Sequence, residues 1–265
     1  SGSAAGVTVN LLLAAAQNTV GAGLDTLLAV ENVTGSAFAD TLTGTAGDNV
    51  MNGGAGNDGI NAGAGNDTVE GGARNDVLDG SVGLDTVSYA SATAGVTVSL
   101  LVAGAQDTVG AGIDTLLNFE NVTGSAFNDT ISGNNGVNVL NGGAGNDVIN
   151  AGLGNDIIDG GAGNDTINGG DGVDTVTYAS ATGAVNASLT SNSSAGAAGV
   201  DGFASIEQLI GSSFADVLSG DALANRLDGG LGNDTLRGMA GNDTLVGGGG
   251  NDRFEWTAVA MNSAD

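Results

Sequence analysis

Gly142-Gly-Ala-Gly-Asn-Asp-Val-Ile-Asn150 is followed directly by Ala151-Gly-Leu-Gly-Asn-Asp-Ile-Ile-Asp159 and then by Gly160-Gly-Ala-Gly-Asn-Asp-Thr-Ile-Asn168. The nonapeptide is Gly-Gly-x-Gly-x-Asp-x-U-x, with U apolar. Worked outward, the frame holds from Gly124 to Thr177 and recurs from Gly35 to Ser88 and from Gly211 to Glu255, in runs of six, six and five units. U is apolar throughout: Leu42, Met51, Ile60, Val69, Leu78 and Val87, then Ile131, Leu140, Ile149, Ile158, Ile167 and Val176, then Leu218, Leu227, Leu236, Leu245 and Phe254. So short a period predicts a three-residue strand with its central side chain inward, joined to the next by a six-residue turn whose glycines take backbone angles a side chain forbids. Two units close one coil, and coils stack as parallel strands about 4.8 Å apart around a thin apolar ladder.

The sixth position carries the chemistry. It is Asp at Asp40, Asp58, Asp67, Asp76, Asp85, Asp129, Asp147, Asp156, Asp165, Asp174, Asp216, Asp234, Asp243 and Asp252, and Asn at Asn49, Asn138 and Asn225. Thirty acidic residues face four arginines and no lysine, for a formal charge of −26. The period lines many of these carboxylates along the edges of one stack, where they repel one another. A hard divalent cation relieves that repulsion. Ca²⁺ suits the donors, taking six to eight oxygens in flexible geometry from Asp and backbone carbonyls, whereas Mg²⁺ demands a tight octahedron and keeps its water. Without metal, so acidic and glycine-rich a chain reads as a disordered polymer. The strict U position is superfluous in a solvated tail and required in a core, so folding and metal binding read as one equilibrium.

The nonapeptide resembles the RTX calcium-binding repeats of haemolysin-type and serralysin C-terminal domains, and it has the form that motif takes in a calcium-binding parallel β-helix. The resemblance implies an all-β fold, a right-handed parallel β-roll or β-helix solenoid, with several Ca²⁺ ions held between stacked turns by Asp carboxylates and main-chain carbonyls. Carried over by position, the best ligands are the turns with Gly fourth and Asp sixth: Asp58, Asp67, Asp85, Asp147, Asp156, Asp165, Asp174, Asp234, Asp243 and Asp252. Asp40, Asp129 and Asp216 follow Phe38, Phe127 and Phe214 in the fourth place and read as opening coils that pack or coordinate weakly. Arg74 takes the fourth place beside Asp76, where a salt bridge would stand in for calcium.

A longer period encloses the short one. Val7, Val96 and Val185 stand 89 residues apart, as do Tyr89 and Tyr178, and Glu-Asn-Val-Thr-Gly-Ser-Ala-Phe begins at Glu31 and Glu120, with a drifted copy at Glu207. This divides the chain into modules at 1–88, 89–177 and 178–265, with repeats at 35–88, 124–177 and 211–255. The spacers contain alternating β-branched segments, Val96–Leu100, Ile113–Leu117 and Phe119–Thr123, which read as strands joining the roll. Thr190–Gly199, rich in Ser, Ala, Asn and Gly, reads as a loop. We expect the three runs to form a single elongated solenoid. Phe254 and Trp256 are expected to close the last coil, and both ends interrupt the pattern, as in a segment of a larger exported protein. No apolar run is long enough to span a membrane.

With no His, Cys or Lys, the chain has no imidazole base, thiolate, Schiff base, His-rich zinc site or P-loop lysine. Paired acids could hydrolyse a glycosidic bond. However, six acids outside the sixth position, Asp25, Asp114, Asp201, Glu31, Glu120 and Glu207, repeat from module to module, which suits a structural or secondary metal role better than one active site. Gly54-Ala-Gly-Asn-Asp-Gly59 matches a dinucleotide fingerprint but lacks the long strand before it and the helix after it. The charge disfavours nucleic acid. The reading is therefore no enzyme, but an extracellular Ca²⁺-binding β-roll.

What the RTX resemblance implies beyond this is export from a Gram-negative cell by type I secretion machinery, with folding on calcium outside. Cell-surface or matrix contacts, and no membrane insertion by this segment, go with it. Two roles stay open for the parent: a structural extender of an adhesin or surface protein, or the non-catalytic secretion and folding module of an exoenzyme or toxin.

Overall fold

The computed structural model describes residues 5–256, all in short strands and turns, with no helix among the described residues. The chain divides between Asn134 and Asn135 into two compact units.

In the first unit, one stack of parallel strands runs Thr8–Asn10, Thr41–Thr43, Gly59–Asn61, Val77–Asp79 and Ile113–Leu117. A second runs Asn32–Thr34, Val50–Asn52, Thr68–Glu70, Thr86–Ser88 and Asn121–Thr123. Within a run, pairing strands are offset by 18 residues, as Leu42 on Ile60 and Met51 on Val69, so two nonapeptides make one coil. The U residues form two facing ladders, Val9-Leu42-Ile60-Leu78-Leu116 and Val33-Met51-Val69-Val87-Val122. Leu42, Met51, Val69, Leu78 and Val87 are buried. Each such side chain contributes roughly 1.5–3 kcal/mol over leaving it in water. The flanking residues of each strand point outward, which is why Val50 and Val77 are exposed without being misplaced.

The second unit repeats the plan. Val139–Asn141, Ile157–Asp159, Thr175–Thr177, Gln208–Ile210, Arg226–Asp228 and Thr244–Val246 stack in parallel, carrying Leu140, Ile158, Val176, Leu209, Leu227 and Leu245. On the other side, Val148–Leu153, Thr166–Asp171 and Gly202–Ala204 stack in parallel, as do Val185–Ser188, Val217–Ser219, Thr235–Arg237 and Arg253–Phe254.

The spacers are part of the roll. Thr97–Ser99 pairs with Thr130–Ser132, and Ile113–Leu117 pairs with Val77–Asp79 while forming an antiparallel hairpin with Ala105–Asp107. Thr190–Gly199 departs from the loop expectation. Ser193–Gly196 is a strand, antiparallel to Val185–Ser188 and bridged to Gly202. Tertiary pairing overrides its weak local preference there. The expected closure by aromatics is also absent: Phe254 pairs with Leu236 but is 39% exposed, and Trp256 is 85% exposed. The remainder of that terminal segment, 257–265, lies outside the described residues.

Candidate metal centre

The sixth-position carboxylates form columns along the coils. In each, the backbone N–H of one acid donates to Oδ1 of the acid one coil on: Asp40 to Asp58 at 2.8 Å, Asp58 to Asp76 at 2.8 Å, Asn49 to Asp67 at 2.7 Å and Asp67 to Asp85 at 2.8 Å. The second unit continues the rule, with Asn138 to Asp156, Asp156 to Asp174, Asp147 to Asp165, Asp216 to Asp234, Asn225 to Asp243 and Asp234 to Asp252. All of these acids except Asp243 and Asp252 are buried.

What happens to Oδ2 separates two kinds of turn. In the opening turns, the second residue is Ser and lies outside the left-handed region, so its N–H faces its own acid. Ser36 N donates to Asp40 Oδ2 at 2.5 Å and Ser36 Oγ to Oδ1 at 2.9 Å, while Val7 N adds a third bond at 2.6 Å. Ser125 and Val96 do the same for Asp129, and Ser212 and Val185 for Asp216. Asn49 and Asn225 likewise accept from Thr45 N and Asp221 N in their own turns.

In the interior turns, the second residue is left-handed: Gly54 has φ +95°, and even Ser81 has φ 70°. The peptide is thereby turned so that its N–H no longer reaches the carboxylate. Oδ2 of Asp58, Asp67, Asp76, Asp85, Asp156, Asp165, Asp174 and Asp234 is buried with no hydrogen-bond partner. Leaving a buried acceptor unmet costs roughly 1–3 kcal/mol, and more when it is charged. The fourth residue is left-handed in most of these turns, Gly83 excepted, and where it is glycine a side chain has little room. A Cβ on Gly163 would lie 1.6 Å from the carbonyl oxygen of Gly145, one coil back.

Electrostatics agree with the geometry. Burial first, then the neighbouring acids of the column, pushes Asp76 and Asp165 up to about 7 and Asp85 to about 6. Burial also raises Asp58, Asp67, Asp156, Asp174 and Asp234. Among the described residues, no arginine forms an ion pair with Asp58, Asp67, Asp76, Asp85, Asp156, Asp165, Asp174 or Asp234. The ion pairs among the described residues are Arg226 with Asp228, and Arg237 and Arg253 with Glu255, all at the surface. Arg74 corrects the sequence expectation: it is exposed, left-handed at φ 91°, and makes no ion pair with Asp76, whose Oδ2 stays without a donor. A left-handed fourth position swings its side chain outward.

Among the described residues, no three carboxylates converge on one point. A cation with a large oxygen shell can therefore be held only by carboxylates together with backbone carbonyls. Beside Gly53, Asp58 Oδ2 and Gly71 O from the next coil lie 2.4 and 2.6 Å from where a Cβ would be, as Asp40 Oδ2 and Gly53 O lie beside Gly35; the interior turn differs in that its carboxylate oxygen has no donor and so fits a cation. An all-oxygen, anionic, nitrogen- and sulfur-free set of this kind suits Ca²⁺.

Two features escaped the sequence reading. Fifth-position residues build a second, outer ladder: Asp48 accepts from Asn66 N, Asn66 from Leu84 N, Asn146 from Asn164 N and Asn233 from Asn251 N. The recurrence of Asn in that place was the available signal. The spacer acids also occupy the columns in register. Asp114 Oδ1 accepts from Asp76 N, Asp201 Oδ1 from Asp165 N, Glu120 Oε2 from Asp85 N and Glu207 Oε2 from Asp174 N. Asp114 is braced by Thr108 and Tyr89, and Asp201 by Ser194 and Tyr178.

Stacked nonapeptide coils with buried acidic side chains at their corners define a parallel β-roll of the cation-binding kind. The family model for the RTX calcium-binding nonapeptide repeat matches residues 34–69, 61–91, 119–149, 141–176, 201–236 and 219–254, together more than half of the chain. The chain belongs to that family, whose repeats bind calcium and serve as a structural module. No curated protein matches the chain.

Proposed function

We propose that this chain is an extracellular Ca²⁺-loaded β-roll that folds when it meets calcium outside the cell and serves as a structural, extending segment of a type I-secreted adhesin or surface protein. The observation that supports it best is the set of buried Oδ2 atoms at Asp58, Asp67, Asp76, Asp85, Asp156, Asp165, Asp174 and Asp234, for which no described residue supplies a donor. Each ion is held by an interior-turn Asp, the Asp one coil on, and turn carbonyls. On that basis Asp58, Asp67, Asp76, Asp85, Asp156, Asp165, Asp174 and Asp234 are the principal ligands. Asp147, Asp243 and Asp252 belong to turns of the same sequence, while Asp40, Asp129 and Asp216 are held by Ser and contribute least. The ions neutralise the columns and let the coils close, so binding free energy appears as folding free energy. The three modules 1–88, 89–177 and 178–265 act as one tandem array without catalysis. Cytosolic calcium lies far below the millimolar range of weak extracellular modules, so the array stays empty inside the cell. Limited proteolysis across a calcium series tests this: the chain is expected to be cut throughout in chelator and protected at millimolar Ca²⁺. Equal protection in chelator would contradict it.

A further inference from the structure

The repeat frame ends at Ser88 and Thr177, yet the last acid of each of these two runs faces a built partner in the spacer. Strand register places Thr86 opposite Asn121 and Thr175 opposite Gln208, so Asp85 stands opposite Glu120 and Asp174 opposite Glu207. Backbone bonds lock both pairs: Asp85 N donates to Glu120 Oε2 at 2.9 Å and Glu120 N to Asp85 O at 3.1 Å, with 2.8 Å and 3.2 Å for Asp174 and Glu207.

The six-residue turn is cut here to a three-residue corner, Asn118-Phe119-Glu120 and Ser205-Ile206-Glu207, whose middle side chain is buried. The first corner residue is left-handed, with φ 55° at Asn118 and 53° at Ser205, and its carbonyl takes the place that the next coil's first glycine carbonyl fills elsewhere. At the Cβ position of Gly80, Asn118 O lies 2.4 Å away and Asp85 Oδ2 2.8 Å; at Gly169, Ser205 O lies 2.2 Å away and Asp174 Oδ2 2.5 Å. This reproduces the register of the turn at Gly53, where Asp58 Oδ2 and Gly71 O lie 2.4 and 2.6 Å away, and of the opening turn at Gly35; what the seams share with the interior turns alone is an acid oxygen without a donor. The shortened corner also accounts for Glu in place of Asp, because the extra methylene carries the carboxylate across the shortened turn. Asp85 and Asp174 are fully buried, and each retains an Oδ2 with no hydrogen-bond partner at this corner.

The structure assigns two further divalent-cation sites at these seams, one formed by Asp85, the Asn118 carbonyl and Glu120, the other by Asp174, the Ser205 carbonyl and Glu207. The assignment rests on the calcium reading of the repeats and extends it beyond the nonapeptides. Calcium ordering then crosses each spacer rather than stopping at it, so a folded run is tied to its spacer by a shared ion.

The test is calcium stoichiometry by equilibrium dialysis on the full chain. Glu120→Gln and Glu207→Gln keep an oxygen to accept the backbone N–H but remove the charge, and each is expected to bind one ion fewer than wild type. Glu31→Gln is the control. Its corner, Ala29-Val30-Glu31, shares the left-handed first residue, with Ala29 at φ 51°, but Val30 is only half-buried, Glu31 is exposed and no described residue with an unpartnered Oδ2 faces it. Its ion count should equal wild type. Wild-type stoichiometry in both seam variants would overturn the seam sites. If a variant does not fold, anomalous diffraction from wild-type crystals grown with Tb³⁺ decides: a peak shared by Asp85, Asn118 O and Glu120 supports the assignment, and peaks at interior turns without one at the seams overturn it. A wild-type chain that takes up no ion at all would instead overturn the calcium reading itself.

Discussion

Asp40 and Asp58 stand one above the other in the same column, joined by a 2.8 Å hydrogen bond, yet they solve the same problem in opposite ways. Asp40 is held by Ser36 and Val7 within the protein; Asp58 leaves Oδ2 buried and unmet. The difference lies in one backbone rotation at the second turn residue, Ser36 against Gly54 at φ +95°. The opening turn thus meets its carboxylate from within the protein, whereas the interior turn at Asp58 leaves one carboxylate oxygen without a donor among the described residues. The runs begin with turns whose acid is held by Ser and pass to turns, such as those of Asp58 and Asp156, whose Oδ2 is left for the proposed cation.

The contrast is sharpened most by truncating an interior acid. Asp156→Ala removes both a proposed ligand and the acceptor of Asn138 N, and should cost about 3 kcal/mol and raise the calcium midpoint at least about tenfold, with loss of cooperativity. Asn138→Ala should leave the ion count unchanged. Equal effects at the two positions, measured by calcium titration, would erase the distinction. Next in size, Gly54→Ala forces a left-handed side chain against Ser36 O, 2.4 Å from the new Cβ, and should cost about 2 kcal/mol in calcium-loaded protein by thermal or denaturant unfolding. Asp40→Asn should cost only about 1 kcal/mol and leave calcium stoichiometry as in wild type.

Acidity separates the turns as well. The interior acids rise from the ordinary 3.8 to about 7 at Asp76 and Asp165, so the metal-free fold binds more protons than the unfolded chain between these values. The stability this supplies is fully present below pH 3.8 and is lost as pH rises through about 7. In chelator, circular dichroism should show more β-structure at about pH 4 than at about pH 8. Calcium affinity should climb over the same window, as metal replaces protons. The smallest effect is at Arg74: Arg74→Gly relieves a left-handed side chain and should stabilise the loaded protein by about 1 kcal/mol.

The coil, its 18-residue repeat and the U ladders were readable because both burial and turn chemistry obey one short period. The acidic columns were readable for the same reason. Beyond the period, legibility fell. Ser193–Gly196 is a strand because Val185–Ser188 pairs with it, not because of its own residues. Arg74 looked like a partner for Asp76 on spacing alone, but its backbone angle points it to solvent. The match of Glu120 to Asp85 was hidden because a shortened corner shifts the frame, so only the strand register shows that the two acids are equivalent.

The central claim is that the interior carboxylates need a divalent ion to be buried. A titration of metal-free chain followed by far-ultraviolet circular dichroism at neutral pH measures this directly. A cooperative coil-to-β transition at sub-millimolar to millimolar Ca²⁺, absent with equal Mg²⁺, is predicted. A β spectrum already complete in chelator at neutral pH, or none gained with calcium, would contradict the account.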